Sequence, residues 1–363
     1  MEKFLMYFLF VVGVVLIVKG GDWFVDGAVW LAEITKIPKF IIGATIISVA
    51  TTLPEIIVST IAAIEGHSIL VSGAANAVAL SQSKVGMAIG NGIGSVICNT
   101  AMILAISVVF MPIGVKRNDF APKAFLLLAA VAALFAFSLN GSLNIWGALV
   151  LVLIFALYIA ENVRSAKQDA TDRVKQNAQN ASGSVGAEAT TAENAPATDK
   201  KSIILNILRI VGGAAAIVIG SQLLVDKGGQ IALSWGVSEA IIGVTIVAVG
   251  TSLPELVTAI TSIIKKQSSM SVGNVIGANV IDTTLIPAVC SFVYGGNLPV
   301  SAQNVYLDFP VAVLVTLITA VPAVIRKKFS RVQGVLLLLI YAAYLVIITA
   351  GLNWYLGLFG VAA

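Results

Sequence analysis

Long apolar runs follow one another along this chain, each broken by a short polar or glycine-containing interval. Runs of about 18 apolar residues or more predict membrane-spanning helices. The pattern places about ten of them, at 4–31, 39–64, 84–111, 121–139, 144–163, 202–227, 239–264, 271–294, 304–325 and 331–359. Barrel strands would be about ten residues long and would alternate apolar with polar, a pattern the chain lacks. The expected fold class is an all-α integral membrane protein. The first run, MEKFLMYFLFVVGVVLIVKGG, resembles a secretion signal in outline. No small-x-small cleavage pattern follows it, however, and its end aligns with a later segment: Gly20, Val25 and Asp26 match Gly220, Val225 and Asp226. It reads as the first span.

Residues 164–201 form the only long polar stretch, rich in Ala, Asn, Thr, Ser and Glu. Such a composition cannot bury a core and is expected to be a disordered linker. It divides the chain into 1–163 and 202–363, with five spans in each part. The two parts repeat one another. Residues 41–55, IIGATIISVATTLPE, and 241–255, IIGVTIVAVGTSLPE, are identical at ten of fifteen positions. A second motif pair follows, GNGIGSVICNT at 90–100 and GNVIGANVIDTT at 273–284. Because each repeat has an odd number of spans, the second must enter the membrane from the opposite side. Two inverted five-helix repeats related by a pseudo-two-fold axis are the expected architecture, with a site at the midplane between them. The offset between repeats falls from 200 to 183 because repeat 1 carries about 17 extra residues near 66–83. This insert is expected on the outside.

Charge then orients the chain. Only 11% of residues are charged, against about 25% in soluble domains, which excludes a soluble globular protein. The basic residues of alternate loops and of the central linker sum to 17 on one face, against three (Lys3, Lys84 and Lys227) on the other. By the positive-inside rule, both termini lie outside and the central loop is cytoplasmic, in a cell (inner) membrane. The basic pI reflects these loop residues rather than a nucleic-acid partner. Cys98 and Cys290 lie in apolar spans and read as packing residues. His67, the single histidine, is placed in or near a loop as a solvated residue. Neither HExxH nor a P-loop pattern occurs, and His67 lies outside the spans, so no enzyme chemistry, ATP use or resident cofactor is expected. No obligate protein partner is evident.

The polar exceptions inside the spans carry the chemistry. A carboxylate at membrane depth is costly and marks a functional site. Ser48, Thr51, Thr52 and Glu55 fall at i, i+3, i+4 and i+7, one helical face; Ala248, Thr251, Ser252 and Glu255 are their mates. A stripe of hydroxyls leading to a carboxylate is a hard-oxygen set suited to a hard cation. Pro54 and Pro254 would free carbonyls one turn back, around Ala50 and Gly250. The second motif adds Ser95 and Asn99 in repeat 1, and Ala278 and Asp282 in repeat 2. No Lys or Arg occurs at 40–83, 85–115, 228–264 or 267–325. A buried charge must be paired or neutralised, so the balancing cation is expected to be mobile: one Ca²⁺ or two Na⁺ for the two glutamates. Protons are the alternative.

These motifs resemble those of the sodium/calcium exchangers, within the cation/calcium exchanger superfamily. The resemblance rests on ATTLPE with GNGIGSVICNT and on GTSLPE with GNVIGANVID, and it covers nearly the whole chain. It implies a secondary antiporter exchanging Ca²⁺ for Na⁺ by alternating access, with a cation/H⁺ antiporter as the alternative. It implies Glu55 and Glu255 as central Ca²⁺ ligands shared with Na⁺ sites. Thr51, Thr52, Thr251 and Ser252 would add hydroxyl or carbonyl oxygens, beside the Ala248 carbonyl. Ser95, Asn99 and Asp282 would complete the Na⁺ sites. Ser48 in place of an alanine, and Ala278 in place of a hydroxyl residue, depart from the family pattern.

Overall fold

With no water to hydrogen-bond the backbone, apolar runs of this length cross a bilayer only as helices, and helices are what the chain forms. The computed structural model describes residues 2–73, 76–111, 113–183, 199–235, 250 and 252–360. In the first half, α1 spans Glu2–Thr35, and α2 (Lys39–Ile42) runs through a π-helical turn at Gly43–Ile47 into α3 (Ser48–Val71). Helix α4 (Ala77–Cys98) continues through a π segment, Asn99–Leu104, into α5 (Ala105–Phe110). Then come α6 (Arg117–Ser138), the short strand β1 (Ser142–Asn144) and α7 (Ile145–Gly183). The second half holds α8 (Lys200–Ser234), α9 (Leu253–Ile264), α10 (Ser268–Thr283), α11 (Leu285–Tyr294) and strand β2 (Asn297–Pro299). It closes with a π turn at Asn304–Asp308, α12 (Phe309–Arg326), α13 (Arg331–Val346), a second π turn at Ile347–Gly351 and α14 (Leu352–Gly357). The two strands pair antiparallel, Ser142 opposite Pro299, and tie the loop after α6 to the loop after α11.

Among the described residues, nine helical stretches are long and apolar enough to span a membrane, and α9 is a shorter apolar helix. The protein is a multi-pass membrane protein. Of the expected span 239–264, residues 239–249 and 251 lie outside the described residues.

The inverted repeat is visible as geometry. Helices α1 and α8 pack so closely that a Cβ on Gly13 would fall 3.0 Å from the Gly220 carbonyl oxygen, and one on Gly20 would fall 2.9 Å from that of Gly213. Positions 13 and 213 are repeat mates, as are 20 and 220. Each contact is therefore the image of the other, the self-complementary pattern that a two-fold axis imposes. Small residues allow such approach in membranes. Helix α10 likewise crosses the π turn before α3: a Cβ on Gly273 would run into the Phe40 carbonyl and lie 3.0 Å from the Ala44 nitrogen, and one on Gly277 would lie 2.6 Å from the Ala44 oxygen.

Three expectations are corrected. Residues 164–183 of the expected disordered linker continue α7 as helix, because the Ala, Lys, Gln and Arg that recur there are good helix formers; residues 184–198 lie outside the described residues. Within the insert near 66–83, α3 continues to Val71 and α4 begins at Ala77. His67 is therefore helical and half-buried, its Nδ1 2.8 Å from the Tyr294 carbonyl oxygen. Lys123, counted among loop cations, is fully buried in α6; its ammonium donates to the Asp119 carbonyl (3.0 Å) and to Ser165 Oγ (2.9 Å), and lies over the Phe40 ring.

Substituting Gly273→Val should drive a side chain into the α2 backbone. Overpacking costs about 1–3 kcal/mol, so the detergent-solubilised protein should melt roughly 5 °C lower or fail to be recovered. Gly212→Ala, where an added Cβ has no atom within 4 Å, should leave the melting temperature within about 2 °C.

Candidate cation site

Four helices bring the motif residues together. α3 carries Thr51, Thr52 and Glu55; α9 carries Glu255 in its first turn, behind Ser252; α4 leads to Ser95 and Asn99; α10 carries Asp282. All of these side chains are buried. The two prolines act differently. Pro54 lies inside α3, where it removes a backbone hydrogen bond. Pro254 falls in the first turn of α9, where its missing N–H costs nothing and where the helix N-terminus favours the Glu255 carboxylate.

The halves are stitched across this centre. Thr52 Oγ1 donates to Glu255 Oε1 at 3.2 Å, and Thr51 Oγ1 lies 3.4 Å from Asn274 Oδ1. Ser252 Oγ reaches Ser95 Oγ at 3.4 Å. Asn279 Nδ2 donates to Thr100 Oγ1 at 2.7 Å. Sequence reasoning missed Asn91 and Asn274, although they occupy the same position of the two second motifs. Asn91 Nδ2 donates to Ser59 Oγ at 3.0 Å, and Asn274 Nδ2 to Thr258 Oγ1 at 2.8 Å. Each amide thus grips the hydroxyl one turn beyond its own repeat's glutamate. Their identical placement in GNGIG and GNVIG was the available signal.

Ser48 also packs against a neighbouring helix. Its hydroxyl donates to the Thr45 carbonyl at 3.1 Å and abuts Gly277, so it serves the crossing of α3 with α10. Ala248 and Thr251 lie outside the described residues, and nothing in the geometry tests them.

What remains unpaired defines the site. Both oxygens of Glu55, both of Asp282, Glu255 Oε2 and Asn99 Oδ1 are buried without a hydrogen-bond partner among the described residues. Glu55 and Asp282 are each 1% exposed. None of these acids joins the ion pairs found among the described residues, which involve Glu33, Glu65, Glu161, Asp22 and Asp26. Glu55 lies within electrostatic reach of both Glu255 and Asp282. Yet among the described residues no three His, Cys, Asp or Glu side chains are grouped closely enough to hold a metal alone. A cation here would have to complete its shell with hydroxyl, amide and carbonyl oxygens, as hard cations do.

Inverted halves, broken apolar helices and orphaned acids at their junction define the class: a secondary cation transporter of the membrane. Comparison with known proteins makes the class specific. The profile described as "Sodium/calcium exchanger protein" matches residues 5–163 and 205–350, and the chain belongs to that family. It is 31% identical to the membrane protein MJ0091 of Methanocaldococcus jannaschii, over 92% of this chain and 94% of the relative. It is 27% identical to the sodium/calcium exchanger MaX1 of Methanosarcina acetivorans, over 94% of this chain and 98% of the relative. Its fold is similar to that of the sodium-calcium exchanger NCX_Mj in crystals soaked with 2.5 mM Na⁺ and 10 mM Sr²⁺, with a TM-score of 0.73 and 27% identity over 96% and 99% of the two chains.

Removing the Asn274 amide should loosen both Thr51 and Thr258 without touching a carboxylate. Loss of buried hydrogen bonds costs about 1–3 kcal/mol, so Asn274→Ala should lower kcat/KM for Ca²⁺ roughly tenfold or more. Isotope uptake normalised to reconstituted protein measures this, and an unchanged value would remove Asn274 from the site.

Proposed function

We propose that this chain carries Ca²⁺ and Na⁺ alternately through one site between its halves, expelling Ca²⁺ as Na⁺ moves down its gradient. Ca²⁺/Na⁺ antiport is the activity of the family to which the chain belongs, and a proton-coupled reading has no stronger support. The observation that carries the assignment to these residues is the set of buried, unpartnered carboxylate oxygens on Glu55 and Asp282.

In this reading Glu55 and Glu255 are the central ligands for Ca²⁺, and each also serves Na⁺. Thr51, Thr52, Thr251 and Ser252 supply neutral oxygens, with the Ala248 carbonyl, while Ser95, Asn99 and Asp282 complete the Na⁺ side. The electrostatics explain why exchange is preferred to leak. Glutamates left bare in a low-dielectric interior carry a solvation penalty of several kcal/mol each. The empty, charged site is then too costly to cross, and the return step needs Na⁺ as its load. Alternating access follows from one half rocking against the other around a fixed site. The Na⁺ gradient supplies the energy, so neither a resident cofactor nor an enzymatic step is required. The distribution of Lys and Arg supports both termini outside a cell membrane and the α7–α8 connection in the cytoplasm.

The test is Ca²⁺ uptake into Na⁺-loaded proteoliposomes diluted into Na⁺-free buffer, against K⁺-loaded vesicles. Uptake should require internal Na⁺. Glu255→Gln keeps an acceptor for Thr52 and should fold, yet its uptake should fall to background. Uptake that followed an imposed pH gradient instead would overturn the Na⁺ assignment, and full activity in Glu255→Gln would overturn the site.

A further inference from the structure

A fourth buried acid lies outside the cation site. Asp308 ends the π turn before α12 and is 1% exposed. Unlike Glu55 and Asp282, its carboxylate is saturated with neutral donors. Asn304 Nδ2 donates to Oδ2 at 2.7 Å, Gln303 Nε2 to the same oxygen at 3.3 Å, and the Tyr344 hydroxyl to Oδ1 at 3.0 Å. A carboxylate satisfied in this way has a defined position, and it joins α12 to α13.

Both ends of this unit reach α4. The Asn304 amide stands 3.6 Å from where a Gly90 Cβ would be, so the glycine of the second motif seats directly against it. On α13, which packs against the Asn99–Leu104 π segment continuing α4, the buried Tyr341 lies one turn before Tyr344. The helix bearing Ser95 and Asn99 is therefore held at Gly90 and at the π segment that begins with Asn99, on either side of Ser95.

The first repeat repeats the device in altered form. LIFALY at 153–158 matches LIYAAY at 339–344, which makes Tyr158 the mate of Tyr344. Tyr158 is also buried, and its hydroxyl donates to the Ala44 carbonyl at 2.8 Å. Ala44 lies in the π turn leading into the Thr51–Thr52–Glu55 helix. In each half, then, the last long helix sends a tyrosine hydroxyl to brace a π-distorted turn. In the first half it meets a backbone carbonyl, and in the second the Asp308 carboxylate.

We propose that Asp308 and Tyr344 are positioning residues for the Na⁺ side of the exchange site, acting through α4 on Ser95 and Asn99. This rests on the ligand roles given above to those two residues. Neither Asp308 nor Tyr344 touches the transported ion. They fix the register of the helix that does, so their loss falls on Na⁺ before Ca²⁺.

Tyr344→Phe removes a single hydroxyl, and Asp308→Asn leaves one set of donors facing an amide N–H. Each should raise the half-saturating Na⁺ concentration about three- to tenfold, the scale of one buried hydrogen bond, while KM for Ca²⁺ at saturating opposing Na⁺ changes by less than about twofold. Asn99→Ala should shift Na⁺ dependence directly. The Tyr344→Phe/Asn99→Ala pair should shift it no further, since residues acting through one another are not additive. If Asn99→Ala shifts the Na⁺ dependence and Tyr344→Phe does not, positioning is overturned and the ligand reading stands. If Asn99→Ala has no effect, the ligand reading fails, and the proposal with it. A lower melting temperature with equal loss of Na⁺ and Ca²⁺ dependence would make the pair a general structural brace, which also overturns the proposal. Should Asp308→Asn fail to reach the membrane, Tyr344→Phe alone decides.

Discussion

Buried negative charge without fixed positive charge governs this molecule. Glu55, Glu255 and Asp282 occupy its centre, and the ion pairs among the described residues all lie elsewhere. Lys123 is the one fully buried cation among the described residues, and it is spent on Ser165 and a backbone carbonyl. A low-dielectric interior does not tolerate an isolated carboxylate. The balancing charge must arrive from water and be able to leave again. This single condition makes a site for mobile cations out of a helical bundle, and it couples each departure to an arrival.

Such a site needs ligands held firmly by groups that do not themselves bind the ion. Here glycines and asparagines do this work. Gly273 and Gly277 let α10 lie against the α2–α3 turn at backbone distance. The Asn91 and Asn274 amides then hold the turn beyond each glutamate by a hydroxyl. Close approach supplies dispersion in a setting where lipid offers no hydrophobic drive between helices. The amides supply direction. Neither would suffice alone: packing without the amides leaves the glutamate turns free to rotate, and the amides cannot reach across bulky side chains.

The fold was legible where a physical period or a repeat wrote it down. Apolar length fixed the spans, and the odd number of spans per repeat fixed the inversion, which the reciprocal Gly13–Gly220 and Gly20–Gly213 contacts display. Thr51, Thr52, Glu55, Ser95, Asn99, Ser252, Glu255 and Asp282 could be found because a polar residue inside an apolar run is an exception that needs a cause. The failures share a different origin. Lys123 was counted with the loop cations because a positive charge reads as solvated, although it lies six residues inside α6, which begins at Arg117, and is buried there. For Ser48, helical spacing gave its face but not the neighbour it packs against, Gly277 on α10. Asn91 and Asn274 were passed over because their hydroxyl partners lie on other helices, and Asp308 because the Tyr344 that ties it to α13 is 36 residues away.

The pseudo-two-fold frame also shows what symmetry leaves open. Two inverted halves with the same backbone would give inward-facing and outward-facing forms of similar energy, the bistability that alternating access needs. The side chains are not equal, however. Asp282 stands where the first repeat has Asn99, and Ser95 where the second has Ala278. At the ends of the motif helices the difference is one of sign. Lys265 binds Asp22 and Asp26 on α1 at 3.3 and 2.7 Å, whereas its mate Glu65 binds Lys84 within its own half. One half is thus tied to α1 by charge, and the other is closed on itself. The backbone repeat makes two states possible, and these polar departures from the repeat are what distinguish one state, and one face of the membrane, from the other.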